Sequence, residues 1–186
     1  ELPSWWVCRR CAGTAADAAD ASNASNAADA SGAAEGTGGD SSSSDTPDPY
    51  ILKRGSCIHE IFEGRDPEVV CRKYSLMQEM ETFTGYLAAF MDSEVMRDAD
   101  VSWCELPLCS AAGEFKRCDR LVRKKDGSYV IVDYKSGKLS ALSDALREKY
   151  VKQLTGYSEI VSPVLGEDVV PAYLYFAGDN AFLRIV

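Results

Sequence analysis

Val130-Ile131-Val132-Asp133-Tyr134-Lys135-Ser136-Gly137 runs an apolar, β-forming segment straight into an acid and a base, then closes on a glycine-containing turn. Side chains of a strand alternate faces at about 3.3 Å per residue, so Asp133 and Lys135 project from one face, roughly 6–7 Å apart. Such a pair reads either as a surface ion pair or as part of a site. The β-formers leading directly into the charges favour the site.

Working outward, Asp126-Gly127 is a strong hairpin signal between β-rich stretches at 114–123 and 128–135. Folding about that turn sets residues whose numbers total about 253 opposite one another, within a residue or two. Asp119 then faces about position 134 and approaches Asp133 across the ladder. Two aspartates that close repel unless a cation lies between them. Hard oxygen ligands with room for water suit Mg²⁺ or Mn²⁺.

The remaining pattern frames this hairpin. A first strand is expected at 101–108, and a helix at 143–161 with Ser143 as its N-cap and Leu146, Tyr150, Leu154, Tyr157 and Val161 on its inner face. A closing hairpin is expected from 169–176 and 181–186. Ahead of the strands lie a short helix at 54–63 with His59 in its middle, and a helical region at 67–96 with a break near Ser75. The order α, β, β, β, α, β, β predicts an α/β fold, a mixed β-sheet flanked by helices.

Residues 13–49 are nearly all Ala, Ser, Asp, Asn, Gly and Thr, with seven acids, no Lys or Arg and no aromatic. Such a stretch cannot offset its ordering entropy by burial and reads as a disordered acidic linker. One domain is therefore expected at 50–186. The formal charge of -9 divides into +1 for residues 1–12, -7 for the linker and -3 for the 21 acids and 18 bases of 50–186. The folded part is only mildly acidic and carries no long basic stripe, so its charge neither excludes nucleic acid nor advertises it.

Taken in order, Arg54-Gly55 then His59, Asp119, Asp133-Tyr134-Lys135 and Gln153-Leu154-Thr155-Gly156-Tyr157 resemble the RecB/AddA branch of the PD-(D/E)xK nuclease superfamily. The resemblance covers residues 50–186, and Leu2-Pro3-Ser4-Trp5 looks like the lead-in by which such enzymes reach the nuclease domain. It implies a restriction-endonuclease-like core and a Mg²⁺- or Mn²⁺-dependent deoxyribonuclease. By this resemblance His59, Asp119, Asp133 and the backbone carbonyl of Tyr134 are metal ligands, and Lys135 orients the attacking water or stabilises charge on the phosphate. Gln153 and Tyr157, four apart on one helix face, meet the DNA backbone or the edge of the site.

The resemblance further implies a cytoplasmic bacterial protein of double-strand-break repair that acts on single-stranded DNA ends. Helicase domains in cis precede such a domain, a second AddB/RecC-like subunit accompanies it, and residues 1–12 then lead in from the preceding domain. Two alternatives stand beside this reading: a nuclease-like module that holds DNA or docks a subunit without cleavage, and a stand-alone exonuclease. Glu105 reads equally as a further site acid or a solvated strand residue, and Arg54 as a phosphate contact or a turn cap. Cys8 and Cys11 have the spacing of half a zinc or iron–sulfur site, but no cysteine follows Cys118, which argues against a cluster. The odd count of seven cysteines shows no secreted disulfide pattern, and no apolar run approaches the roughly 20 residues that span a bilayer.

Overall fold

A computed structural model describes residues 48–186; the expected lead-in, the acidic linker up to residue 47, and Cys8 and Cys11 lie outside the described residues. Helix α1 (Pro49–Phe62) starts where Asp48 accepts a hydrogen bond from the Tyr50 N–H and Pro49 supplies a residue that needs no intrahelical donor. Its buried side, Cys57, Ile58, Ile61 and Phe62, faces the sheet. Helix α2 (Pro67–Tyr74) repeats the device with Asp66 and ends at Ser75, whose φ of 60° is left-handed. A 3₁₀ turn (Met77–Glu79) leads into α3 (Met80–Met91), and a one-turn helix α4 (Glu94–Arg97) follows. The helical region expected at 67–96 is thus broken at Ser75, as its sequence indicates.

Five strands follow: β1 (Ala99–Cys109), β2 (Phe115–Lys124), β3 (Tyr129–Lys135), and, beyond helix α5 (Asp144–Leu165), β4 (Ala172–Phe176) and β5 (Ala181–Arg184). They form one sheet in the order β1-β2-β3-β4-β5. Only β3 and β4 are parallel, because α5 carries the chain back to the starting side between them. The expected mixed sheet flanked by helices is therefore the architecture found.

Both faces of the sheet are covered. Val122, Val132, Tyr134 and Tyr175 pack against α1 to α4, while Leu121, Ile131, Leu174 and Phe176 pack against α5. This explains why β3 reads as an unbroken apolar run rather than an alternating one. On the α1 side the packing is aromatic. Phe90 lies 5.5, 5.3 and 5.0 Å from the ring centroids of Phe62, Tyr134 and Tyr175.

One local feature interrupts the regular alternation. On β1, Trp103, Leu106 and Leu108 all pack on the α5 side, and on β2 so do both Cys118 and Leu121. Strict alternation would send Leu106 and Cys118 to the opposite face. The change of phase falls at Glu105, whose φ of 52° is left-handed, and at Asp119, which stands opposite it between the pairs Cys104↔Arg120 and Leu106↔Cys118. Both strands turn there together, and the outer part of the hairpin folds over α5.

Candidate metal centre at the splayed strand ends

The turn at Glu105 and Asp119 builds the site. The ladder between β2 and β3 runs from Arg123↔Tyr129 only as far as Arg120↔Val132. On β3, Ile131 donates to Pro171 of the β4 side and Lys135 accepts from Ala177, so the main-chain groups of Val132 and Tyr134 point the other way, toward β2. With β2 bending off, the Tyr134 N–H is taken at 2.8 Å by the Asp119 carboxylate instead of a backbone carbonyl. The Tyr134 carbonyl is left facing the gap, where it contacts the His59 ring and favours its protonated form.

Through this gap the two layers meet. His59 reaches in from α1, its Nδ1 3.5 Å from Asp119 Oδ2. From the α5 side, Gln153 donates to Asp133 Oδ1 at 3.1 Å and to the Tyr157 hydroxyl at 2.8 Å. Lys135 Nζ lies 3.0 Å from Asp133 Oδ2 and 4.3 Å from the centre of the Tyr150 ring. Asp119, Asp133 and Lys135 are 2%, 0% and 5% exposed, so Asp133 and Lys135 form no surface ion pair.

Every site residue expected from sequence is thus gathered at one place, and Glu105 joins them. Ligand atoms of His59, Glu105 and Asp119 all lie within 4.8 Å of one another. Opposed oxygens on a Mg²⁺ ion stand on the order of 4 Å apart, so small side-chain movements close such a set. Asp133 borders the group. The donor set suits a divalent ion on a further count: buried His59 Nδ1 makes no hydrogen bond, and Asp133 Oδ2 meets Lys135 at ion-pair distance without hydrogen-bond alignment.

Electrostatics point the same way. Burial, with the charge of Asp119 adding to it, pushes the Asp133 carboxyl up to about 7 against the pull of Lys135. Burial and Asp119 push Glu105 up to about 8, although it pairs with Arg117. Burial lowers His59 to about 4, and burial with the charge of Asp133 raises the Tyr157 phenol. Such packed acids are costly to ionise unless a cation joins them.

A prediction follows from the signs. The stability contributed by protonated Asp133 and Glu105 is full below their ordinary values of 3.8 and 4.5, and is lost as pH rises through about 7 and about 8. His59 contributes in full above its ordinary 6.5 and loses that contribution as pH falls from there through about 4. Between roughly pH 6.5 and 8.5 the two acids decide the slope. The metal-free chain is expected to melt at a lower temperature at the upper limit than at the lower one. Saturating Mn²⁺ should invert that slope, because it binds the ionised carboxylates. Thermal melts across the window, with and without chelator, check both halves.

Arg54 does not enter the site. It pairs with Glu79 at 2.7 Å and donates to the Ser136 carbonyl at 3.4 Å, holding α1 against the turn after Lys135. Gly178 packs on the same turn, where a Cβ would come within 2.9 Å of the Gly137 carbonyl. Sequence reasoning missed Arg117, the partner of Glu105, and Arg120, a 5% exposed cation behind the site. Only the placement of both on the strand that carries Asp119 could have signalled them. A scan of the chain against protein-family models finds no match, and no curated protein matches it.

Proposed function

We propose that the protein is a Mg²⁺- or Mn²⁺-dependent nuclease that hydrolyses DNA phosphodiester bonds, with a restriction-endonuclease-like core of the RecB/AddA kind. The observation that carries this reading is the meeting of His59, Glu105 and Asp119 beside Asp133-Tyr134-Lys135 in a gap between two splayed strands. His59, Asp119, the Tyr134 carbonyl and the neighbouring acids Asp133 and Glu105 would hold the ion, which when bound would supply Lewis-acid chemistry, a lowered pKa for bound water and polarisation of the phosphoryl oxygen.

The chain's own residues do the rest. Gln153 fixes the Asp133 carboxylate from α5. Asp119 fixes the end of β3 through the Tyr134 N–H. Lys135, held between Asp133 and the Tyr150 ring, offers a compact cation to negative charge developing on the phosphate. Single-stranded ends are the proposed substrate form, fed by helicase domains in cis with a second AddB/RecC-like subunit. The absence of a basic run in 50–186 fits a site that depends on such delivery.

The test incubates the full chain with an end-labelled single-stranded oligonucleotide and Mn²⁺ or Mg²⁺, with chelator as control. Cleavage that needs the ion, together with weak DNA binding of shallow salt dependence, is the expected result. Cleavage that persists in chelator, or a chain that takes up no Mn²⁺, overturns the reading. DNA binding and ion uptake without cleavage would favour the holding module instead.

A further inference from the structure

Arg120 is buried, yet none of its three hydrogen-bond acceptors is charged. Its guanidinium bonds the Tyr134 hydroxyl, the Ser102 hydroxyl at 2.9 Å and the Phe62 carbonyl at 2.5 Å. Its central carbon lies 5.5 Å from the Phe90 ring and 5.9 Å from the Tyr134 ring. Burying a cation among neutral oxygens is expensive, and apolar replacements of buried ions are often neutral or stabilising. A residue needed only to fill this space would be apolar.

The acceptors indicate what the charge is for. Tyr134 is the residue whose carbonyl faces the gap. Phe62 ends the helix that carries His59, three residues earlier. Ser102 belongs to β1, three residues before the turn at Glu105. One rigid, planar fork thus ties together the three elements whose ends make the site, at the last residue of β2 still paired to β3.

We propose that Arg120 is a positioning residue: it holds the end of β3 and the last turn of α1 in the relation that lets the Tyr134 carbonyl and His59 face one ion. The ion belongs to the metal-site reading above; the fixing of the two elements does not depend on it. The geometry makes two of the three bonds matter for the site and leaves the third as a tie to β1. Losing the Tyr134 or the Ser102 hydroxyl removes one hydrogen bond from the same guanidinium, but only the first loosens the carbonyl's own residue. A merely structural clip would treat the two losses alike.

The experiment compares Tyr134→Phe, Ser102→Ala and Arg120→Lys in the full chain. Three quantities are read: the melting temperature, the exchange rate of the Tyr134 amide proton without metal, and the affinity for Mn²⁺. Tyr134→Phe and Arg120→Lys are expected to speed amide exchange at least tenfold and to weaken Mn²⁺ binding roughly 10- to 100-fold, the range seen when groups supporting metal ligands are removed. Ser102→Ala should melt like Tyr134→Phe and leave exchange and affinity unchanged. Equal effects of Tyr134→Phe and Ser102→Ala, or none from either, overturn the proposal. If Arg120→Lys fails to fold, that pair still decides. If the unmutated chain takes up no Mn²⁺, the metal reading falls and amide exchange alone judges Arg120.

Discussion

Asp133→Asn is expected to reduce DNA cleavage by roughly 10³-fold while the chain keeps its helix and strand content by circular dichroism. The magnitude is of the order lost when one charge-stabilising group leaves a preorganised site, about 10²–10³. Asparagine keeps the shape of the side chain and a carbonyl oxygen for Gln153 Nε2. It removes the negative charge that pairs with Lys135 and borders the ligand cluster. On the proposed reading the loss should appear in kcat and in Mn²⁺ affinity together, since one carboxylate would serve both Lys135 and the ion. A folded Asp133→Asn chain that cuts at the original rate would remove Asp133 from the chemistry. The same change in a chain that never cleaves would leave only its Mn²⁺ affinity to measure.

Phe90→Ala is expected to destabilise the fold by about 3–5 kcal/mol, the usual cost of removing a buried aromatic ring. Phe90 is fully buried, and Phe62, Tyr134, Tyr175 and Phe182 all lie within 6.1 Å of it, centroid to centroid. Backbones from α1, β3, β4 and β5 meet around this ring, so collapse into the cavity would have to move several elements at once. Because the total stability of a domain is about 5–15 kcal/mol, a large part of it rests on this one side chain. Denaturant unfolding should show a lower midpoint with an unchanged slope. A loss under about 1 kcal/mol would mean that α3 does not seal the sheet as described.

Much of this arrangement is legible in the residues. The Asp126-Gly127 turn predicts Asp119 near position 134, and its carboxylate takes the Tyr134 N–H at 2.8 Å. Ser143 caps α5 as its type suggests. The helix runs past the expected end at Val161 although Pro163 removes one hydrogen bond from its last turn; Ser162 bonds back to the Ser158 carbonyl, and Gly166 closes the end in left-handed geometry. β4 starts later than expected, at Ala172, since the Val170 N–H is spent on Ser162 and Pro171 has none to give.

The part that sequence reading could not reach is the change of phase in β1 and β2. Period-two reading assumes an unbroken pleat, and no glycine or asparagine marks Glu105 as left-handed. Without that turn, Glu105 has no reason to meet His59. Nor does Arg120 look different from any cation on a strand, because its partners come from elements 14 to 58 residues away.

Glu105's backbone has a second effect, on how molecules meet one another. β1 is an outer strand of the sheet and, at 11 residues, its longest, with a row of main-chain donors and acceptors on its outer side. Such an edge is a template on which another chain can add a strand, the first step toward aggregation. A left-handed residue in mid-strand, followed two positions later by Pro107, breaks that row into short, differently aimed pieces. The kink that gathers the acids therefore also shortens the regular edge on which another chain could add a strand. Restoring a regular pleat at position 105 would scatter the site and lengthen the regular edge that runs up to Pro107.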